Sequence, residues 1–261
     1  MNFVQVTVSD QDGLIKIKQI LKMGVSVKQN IIKELFLDSN QRLFFCGDLH
    51  GSIDLLEKSL NELGFISGQD VLICVGDLVD RHPKSEETLR KFLFDKTGSF
   101  YSVRGNHDQM MVDNDWDLQL YNGGQWILDV DYEARVGYGI ITDHKLPFAI
   151  EVNYNGKVYG VCHAEVPLEF ESWDDYCDTL QHNKQLQKET LWNREIIAFP
   201  DHYKYVLLVQ GIDYVFHGHT PVDDPLIIGN RVYIDTGAVF KDGYLTIVEV
   251  KDDLIFHKFN S

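Results

Sequence analysis

From residue 41 onward, short apolar runs alternate with glycine- and aspartate-rich turns. Leu43-Phe44-Phe45-Cys46, Val71-Leu72-Ile73-Cys74-Val75 and Phe100 to Val103 are bounded by turn formers and read as buried strands. Between the first two, Ile53–Leu63 places Leu55, Leu56, Leu60 and Leu63 on one side of a helix, and Ser85–Leu93 predicts another after the second. Strands alternating with helices imply a layered α/β domain with parallel pairing. Further strand-like runs at Phe148–Tyr154, Lys157–Cys162, Tyr214–Phe216, Arg231–Ile234 and Tyr244–Val250 have the β-branched, alternating look of a sandwich-like core. The stretch from about Gln109 to Lys145 is aromatic and acidic and reads as irregular. Asn122-Gly123-Gly124 is its turn, with Trp116, Tyr121 and Trp126 nearby.

Residues 1–40 differ in character. Leu14, Ile17 and Leu21, then Val27, Ile31 and Leu35, recur at three- to four-residue spacing around Gly24, with Ser26 placed to cap the second run. The pattern predicts a short helical N-terminal extension to a catalytic domain of residues 41–261. Lys16, Lys18, Lys22, Lys28 and Lys33 fall within this stretch without an acid from Gly13 to Lys33. Such a hairpin either docks DNA or an acidic partner, or packs on the catalytic domain with its lysines in water.

Charge narrows the partners. A formal net charge of −16 over 261 residues disfavours binding to nucleic-acid backbone or anionic membrane, which leaves the hairpin as the candidate for nucleic-acid contact. The same charge makes any phosphate site depend on local cations. Cys46, Cys74 and Cys162 sit in apolar runs and no CxxC pair occurs, as suits a reducing cytoplasm. No signal-peptide pattern opens the chain, and no apolar run approaches a membrane span. The expectation is a soluble cytoplasmic protein.

Chemistry-bearing residues cluster at strand ends. Gly47-Asp48-Leu49-His50-Gly51, Gly76-Asp77-Leu78-Val79-Asp80-Arg81 and Arg104-Gly105-Asn106-His107-Asp108 each follow one of the first three strands. Cys162-His163 and His217-Gly218-His219 follow later ones. Side chains two apart in extended backbone share a side, so Asp48 and His50 can grip one ion. Asp48, His50, Asp77, Asn106, His163 and either His217 or His219 form a carboxylate, amide and imidazole set without thiolate. That set suits Mn, Fe or Mg rather than structural zinc. Two ions fit this inventory better than one, with Asp77 as the natural bridge, and a bridged pair suits in-line displacement at phosphorus. Arg81 and Arg104 lie close enough in sequence to hold phosphate oxygens. His107 is placed to protonate a leaving oxygen, and Asp80 to orient it. Asp54, His82, His144, His182, His202 and His257 read as turn formers or solvated side chains.

These motifs resemble the phosphoprotein phosphatase branch of the calcineurin-like metallophosphoesterases, in its bacteriophage lambda-type serine/threonine form. The resemblance is carried by residues 47–51, 76–81 and 105–108. It extends through Asn122–Trp126, Val161–Glu165, Leu191–Glu195, Phe216–Pro221 and Tyr233–Phe240, and covers about 41 to 250. It implies a β-sandwich flanked by helices and two divalent ions, generally Mn, with Fe, Zn or Mg as alternatives. It further implies Asp48, His50 and Asp77 around one ion, Asp77, Asn106, His163 and His219 around the other, and a metal-bridging hydroxide as nucleophile. His107 with Asp80 matches the family's acid and orienting pair, and Arg81, Arg104 and Arg194 its phosphate binders. His82 stands where the family has glycine, which is tolerable if φ is negative there. Pro221 stands where many nuclease relatives have a histidine. The implied activity is phosphomonoester hydrolysis on phosphorylated proteins, with phosphotyrosine a further possible substrate. Hydrolysis of dinucleoside tetraphosphates is the rival, and a silent binding module working through the hairpin is the reading from another class.

Overall fold

The computed structural model describes residues 29–203 and 208–260. Its strands are β1 (Ile32–Phe36), β2 (Leu43–Cys46), β3 (Val71–Cys74), β4 (Phe100–Ser102), β5 (Ala149–Tyr154) and β6 (Lys157–Cys162). They continue with β7 (Tyr214–His217), β8 (Leu226–Ile228), β9 (Arg231–Tyr233), β10 (Leu245–Val250) and β11 (Leu254–Phe259). The helices are α1 (Ile53–Glu62), α2 (Ser85–Leu93), α3 (Asn106–Val112), α4 (Trp116–Tyr121), α5 (Tyr132–Lys145), α6 (Trp173–Leu180) and α7 (Lys184–Trp192).

Two sheets result. One runs β11-β10-β2-β3-β4 and the other β1-β5-β6-β7-β9-β8. Alternation along the strands explains why they stack. Leu43 and Phe45 of β2, with Val71 and Ile73 of β3, face the second sheet, where Phe45 stacks on Phe216 at 3.9 Å between ring centroids. Phe44, Cys46, Leu72 and Cys74 face the other way, against Leu56 and Leu60 of α1, Leu89 and Phe92 of α2 and Tyr138 and Ile141 of α5. Because both faces are covered, these strands are apolar throughout. On the far side of the second sheet, Trp173, Tyr176 and Leu180 of α6 and Leu186 and Leu191 of α7 complete a further layer with Val215 and Cys162. This is the expected sandwich flanked by helices. Cys46, Cys74 and Cys162 are buried free thiols.

Two expectations need correction. Residues 32–36, expected within the second N-terminal helix, form β1, paired in parallel with β5 through Ile32↔Ala149 to Phe36↔Asn153. The rest of that expected hairpin falls on residues 1–28, outside the described residues. The stretch 109–145, expected to be irregular, is largely helical. It contains most of α3, all of α4 and α5, and a 3-10 turn over Gln125–Asp129. Its glycines concealed this. Gly139 sits inside α5 because a Cβ there would lie 2.7 Å from the Met111 carbonyl oxygen of α3, so it serves close helix packing instead of breaking the helix.

The consequence for function is positional. β2, β3 and β4 are mutually parallel, as are β6 and β7, so their C-terminal ends deliver five loops to one edge of the sandwich.

Candidate metal centre

The loops after β2, β3, β4, β6 and β7 bring Asp48, His50, Asp77, Asn106, His107, His163 and His219 together, all buried. Asp77 is central. Its Oδ2 lies 3.5 Å from His50 Nε2 and its Oδ1 3.4 Å from His163 Nε2. Ligand atoms of His50, Asp77 and His107 fall within 4.8 Å of one another, as do those of Asp48, Asp77 and His163. Only Asp77 belongs to both groups. Asp48, which the family resemblance places beside His50, groups here with His163, and His107 takes the position next to His50.

Backbone geometry sets these directions. His50 (φ 42°), Asp77 (φ 50°), Asp80 (φ 74°), Arg81 (φ 68°) and His219 (φ 69°) all adopt left-handed backbone. Only Asn114 and Asn155 share it among the other described non-glycine residues. Each such conformation costs on the order of 1–3 kcal/mol, and its concentration here marks a site whose surroundings hold it in place. His82 is not among them, so replacement of glycine there is accommodated. Two glycines serve close approach: a Cβ at Gly105 would lie 2.0 Å from Asp77 Oδ1, and one at Gly218 2.0 Å from Asp48 Oδ1.

The imidazoles are oriented from behind. His50 Nδ1 lies 2.9 Å from the Val79 carbonyl oxygen and His163 Nδ1 2.8 Å from that of Val75. A ring donating through Nδ1 presents the Nε2 lone pair inward. His163 Nε2 meets Asn106 Oδ1 at 3.0 Å, and His219 Nδ1 meets the same oxygen at 3.0 Å. His217 does not join them. It stays in β7 with Nδ1 3.2 Å from the Cys162 carbonyl oxygen, which settles the choice between the two histidines for proximity to the cluster.

Charge balance fits divalent cations. Burial, followed by the charges of Asp235 and Asp77, pushes the Asp48 carboxyl well above the usual range. Burial also opposes ionisation of Asp77, but the facing His163 holds it well below the ordinary value, and Asp77 in turn raises His163 against the opposing effect of burial. Burial, with neighbouring cationic groups, lowers His50 to about 3 and His219 to about 2, so both stay neutral, the form that binds metal. Asp48 Oδ1 is buried without a hydrogen-bond partner. Such a group is costly to leave uncompensated, and the convergent hard donors around it would accept a divalent ion.

Around this cluster stand the cations and the candidate acid. Arg81 donates from Nη1 to His50 Nε2 at 2.7 Å and from Nη2 to His107 Nε2 at 3.1 Å. Arg194 Nε donates to His219 Nε2 at 3.1 Å. His107 Nδ1 lies 2.8 Å from Asp80 Oδ2, while Asp80 Oδ1 accepts from Trp126 Nε1 at 2.7 Å and Gln119 Nε2 at 3.0 Å. The Asn122–Trp126 stretch thus braces this pair, and Arg81 N–H also donates to the Gly123 carbonyl at 2.7 Å.

Arg104 requires correction. Its side chain is fully buried, and its Nη1 pairs with Asp143 at 2.9 Å and donates to Gln109 Oε1 at 2.8 Å. Nε and Nη2 donate to the Leu146 and Asp143 carbonyls. With every nitrogen engaged, it is a strut between β4 and the end of α5 and is not available to phosphate. Gln119 and Asp235 were not foreseen. Nor was the full role of Asp108, which accepts from Leu78 N and Gly105 N and so ties two of the loops together.

Residues 41–223, well over half of the chain, match the calcineurin-like phosphoesterase family. Serine/threonine-protein phosphatase 1 of Salmonella typhimurium is 32% identical over 217 residues, covering 81% of this chain and 93% of that protein. A symmetrical bis(5'-nucleosyl)-tetraphosphatase of Pseudomonas syringae is 36% identical, but over 88 residues, 34% of this chain and 30% of that protein. Among solved structures, a serine/threonine phosphatase from Saccharomyces cerevisiae shares the fold at a TM-score of 0.60 and 17% identity, covering 95% of this chain and 88% of that one.

Proposed function

This chain belongs to the calcineurin-like phosphoesterase family, and we propose that it is a metal-dependent phosphoprotein phosphatase acting on phosphoserine and phosphothreonine. The observation that carries the reading is Asp77, whose two carboxylate oxygens face two separate donor groups at 3.4 and 3.5 Å. It would be shared by two ions, with His50 on one side and His163, Asn106 and His219 on the other. Asp48 would add its unpartnered oxygen. Mn²⁺ is the proposed ion, and Fe, Zn or Mg would be accepted by the same donors. When bound, such ions supply charge neutralisation at phosphorus and a nucleophilic water at neutral pH.

The chain's own residues do the rest. Arg81 and Arg194, which reach candidate ligands on opposite sides of Asp77, would grip the phosphate oxygens. His107, fixed through Nδ1 by Asp80, would deliver a proton from Nε2 to the departing serine or threonine oxygen. The free thiols at 46, 74 and 162 support a reducing cytoplasmic setting. Relatives named as protein phosphatases match along most of their length, whereas the tetraphosphatase match is partial.

The test compares kcat/KM for a phosphoserine peptide and diadenosine tetraphosphate under Mn²⁺. Preference for the peptide, abolished by EDTA and restored by Mn²⁺, is the expected result. Faster turnover of the dinucleotide would overturn the assignment.

A further inference from the structure

Arg194 is exposed, so its reach to His219 depends on the backbone that carries it. That backbone is anchored from within. Residues 194–198 form a single turn, closed by a bond from Ala198 N–H to the Arg194 carbonyl at 3.0 Å. The first N–H groups of such a turn find no acceptor inside it. Here Glu195 N–H donates to Asn193 Oδ1 at 3.1 Å. Ile196 N–H and Ile197 N–H donate to the two carboxylate oxygens of Glu165, at 3.1 and 2.8 Å. The Tyr233 hydroxyl donates to Glu165 Oε1 at 3.3 Å.

Glu165 is completely buried, two residues after His163 in the loop that follows β6. Its partners Ile196, Ile197 and Tyr233 belong, with Ile228, to one small apolar cluster. Burying a carboxylate in such surroundings is costly unless hydrogen bonds compensate it. The compensation is directional, so it fixes the turn against the His163 loop where an apolar contact would let it slide. Ala164 N–H, between His163 and Glu165, also donates to the Thr190 carbonyl of α7 at 2.8 Å. The loop that carries a candidate metal ligand and the turn that carries Arg194 are thereby held in one register.

We propose that Glu165 is a positioning residue for phosphate binding, which clamps the 194–198 turn to the His163 loop and so aims the Arg194 guanidinium at the metal centre. It acts through Arg194 and touches no reacting atom. The inference rests on the phosphatase reading and on Arg194 as one of its phosphate binders.

The experiment uses the full chain with Mn²⁺, p-nitrophenyl phosphate as substrate and inorganic phosphate as competitive inhibitor. Glu165→Gln keeps the side chain's size but replaces one acceptor by an NH₂ group. With its oxygen on Ile197 N–H and Tyr233, that group confronts Ile196 N–H. KM and the phosphate inhibition constant should both rise by roughly 10-fold, the worth of one hydrogen bond to a charged group. Because the grip is the same before and during reaction, kcat should change less than about 3-fold, with Mn²⁺ content unchanged. Arg194→Ala should raise the same two constants at least as much. In the Arg194→Ala background, Glu165→Gln should add no more than about 2-fold, as expected of residues acting as one unit. Asn193→Ala removes the other brace of the turn at a half-buried position. It should raise both constants by about 3-fold, again only while Arg194 is present, and it decides the matter if Glu165→Gln does not fold. Unmoved constants in Glu165→Gln or in Arg194→Ala, effects of the two that multiply, or loss of Mn²⁺ as the primary change would overturn the assignment. Faster turnover of diadenosine tetraphosphate than of a phosphoserine peptide would sink the protein-phosphatase reading while leaving these ratios measurable, so the two failures are distinct.

Discussion

Asp80→Asn separates proton delivery from phosphate binding. The Asp80 carboxylate accepts three hydrogen bonds, from Trp126 and Gln119 on Oδ1 and from His107 Nδ1 on Oδ2. Asparagine offers one acceptor and one donor. If its oxygen stays with Trp126 and Gln119, its NH₂ faces His107 Nδ1, and the ring must move its proton to Nε2. There that N–H would confront Arg81 Nη2, now 3.1 Å away as a donor. If the amide flips, His107 keeps its partner but the buried indole and Gln119 lose theirs. The first arrangement loses the hydrogen bond from the Arg81 guanidinium to His107, and the second loses two, from Trp126 and Gln119. Each hydrogen bond involving a charged group is worth about 1.5–3 kcal/mol, which corresponds to roughly 10- to 100-fold in rate if felt in the transition state. The loss should fall on kcat for a phosphoserine peptide, whose alkoxide needs a proton. It should be only a few-fold for p-nitrophenyl phosphate, whose phenolate leaves unaided. Trp126→Phe, which removes one donor and spares the His107 contact, should have a smaller effect on the peptide. Steady-state kinetics on both substrates, with Mn²⁺ content and thermal midpoint as controls, decides the matter. Equal losses on the two substrates in a folded, metal-loaded variant would refute the role given to His107 and Asp80.

Three further outcomes follow from particular contacts. Arg104→Ala should cost about 3 kcal/mol in urea unfolding by breaking a buried, fully engaged pair, with KM little changed in the folded fraction; a selective rise in KM would reinstate it as a phosphate binder. Gly105→Ala should lose Mn²⁺, read by metal analysis after gel filtration, because its Cβ would lie 2.0 Å from Asp77 Oδ1; full metal retention would contradict the packing. The Asp95 carboxylate, although opposed by burial, is held below its ordinary value by hydrogen bonds from Thr97, Ser99 and Phe100. Its contribution is therefore present above the unfolded pKa of about 3.9 and lost as pH falls through the lower folded value. Asp95→Asn should flatten the acid limb of stability measured by urea unfolding between about pH 5 and pH 2, and an unchanged limb would count against the turn.

Much of the catalytic half was readable because its signals are local. The runs at β2, β3 and β4 end in Gly-Asp or Gly-Asn, and both period and punctuation point to parallel strands feeding loops. The helices α1 and α2 emerge at the expected positions for the same reason. Where tertiary contacts decide, local signals fail. Ile31 and Leu35 have helical spacing, yet pairing with β5 makes a strand of residues 32–36. In α5, Gly139 looks like a breaker until α3 is packed against it.

Arg104 shows the limit of reasoning from proximity. Two residues before Asn106, it would share that residue's side if the chain stayed extended. The strand ends at Ser102, however, and α3 begins at Asn106 itself, so the alternation does not carry through. Arg104 turns toward the α5 terminus while Asn106 turns toward His163 and His219. The same break in extension governs the whole centre. Asp77 reaches both donor groups, and Asp80 and Arg81 bring their side chains back to His107 and His50, from backbone that is left-handed at all three. Sequence spacing names the candidates. Their convergence depends on strained turns, and those turns persist because buried strands and the Asn122–Trp126 brace hold them from both sides.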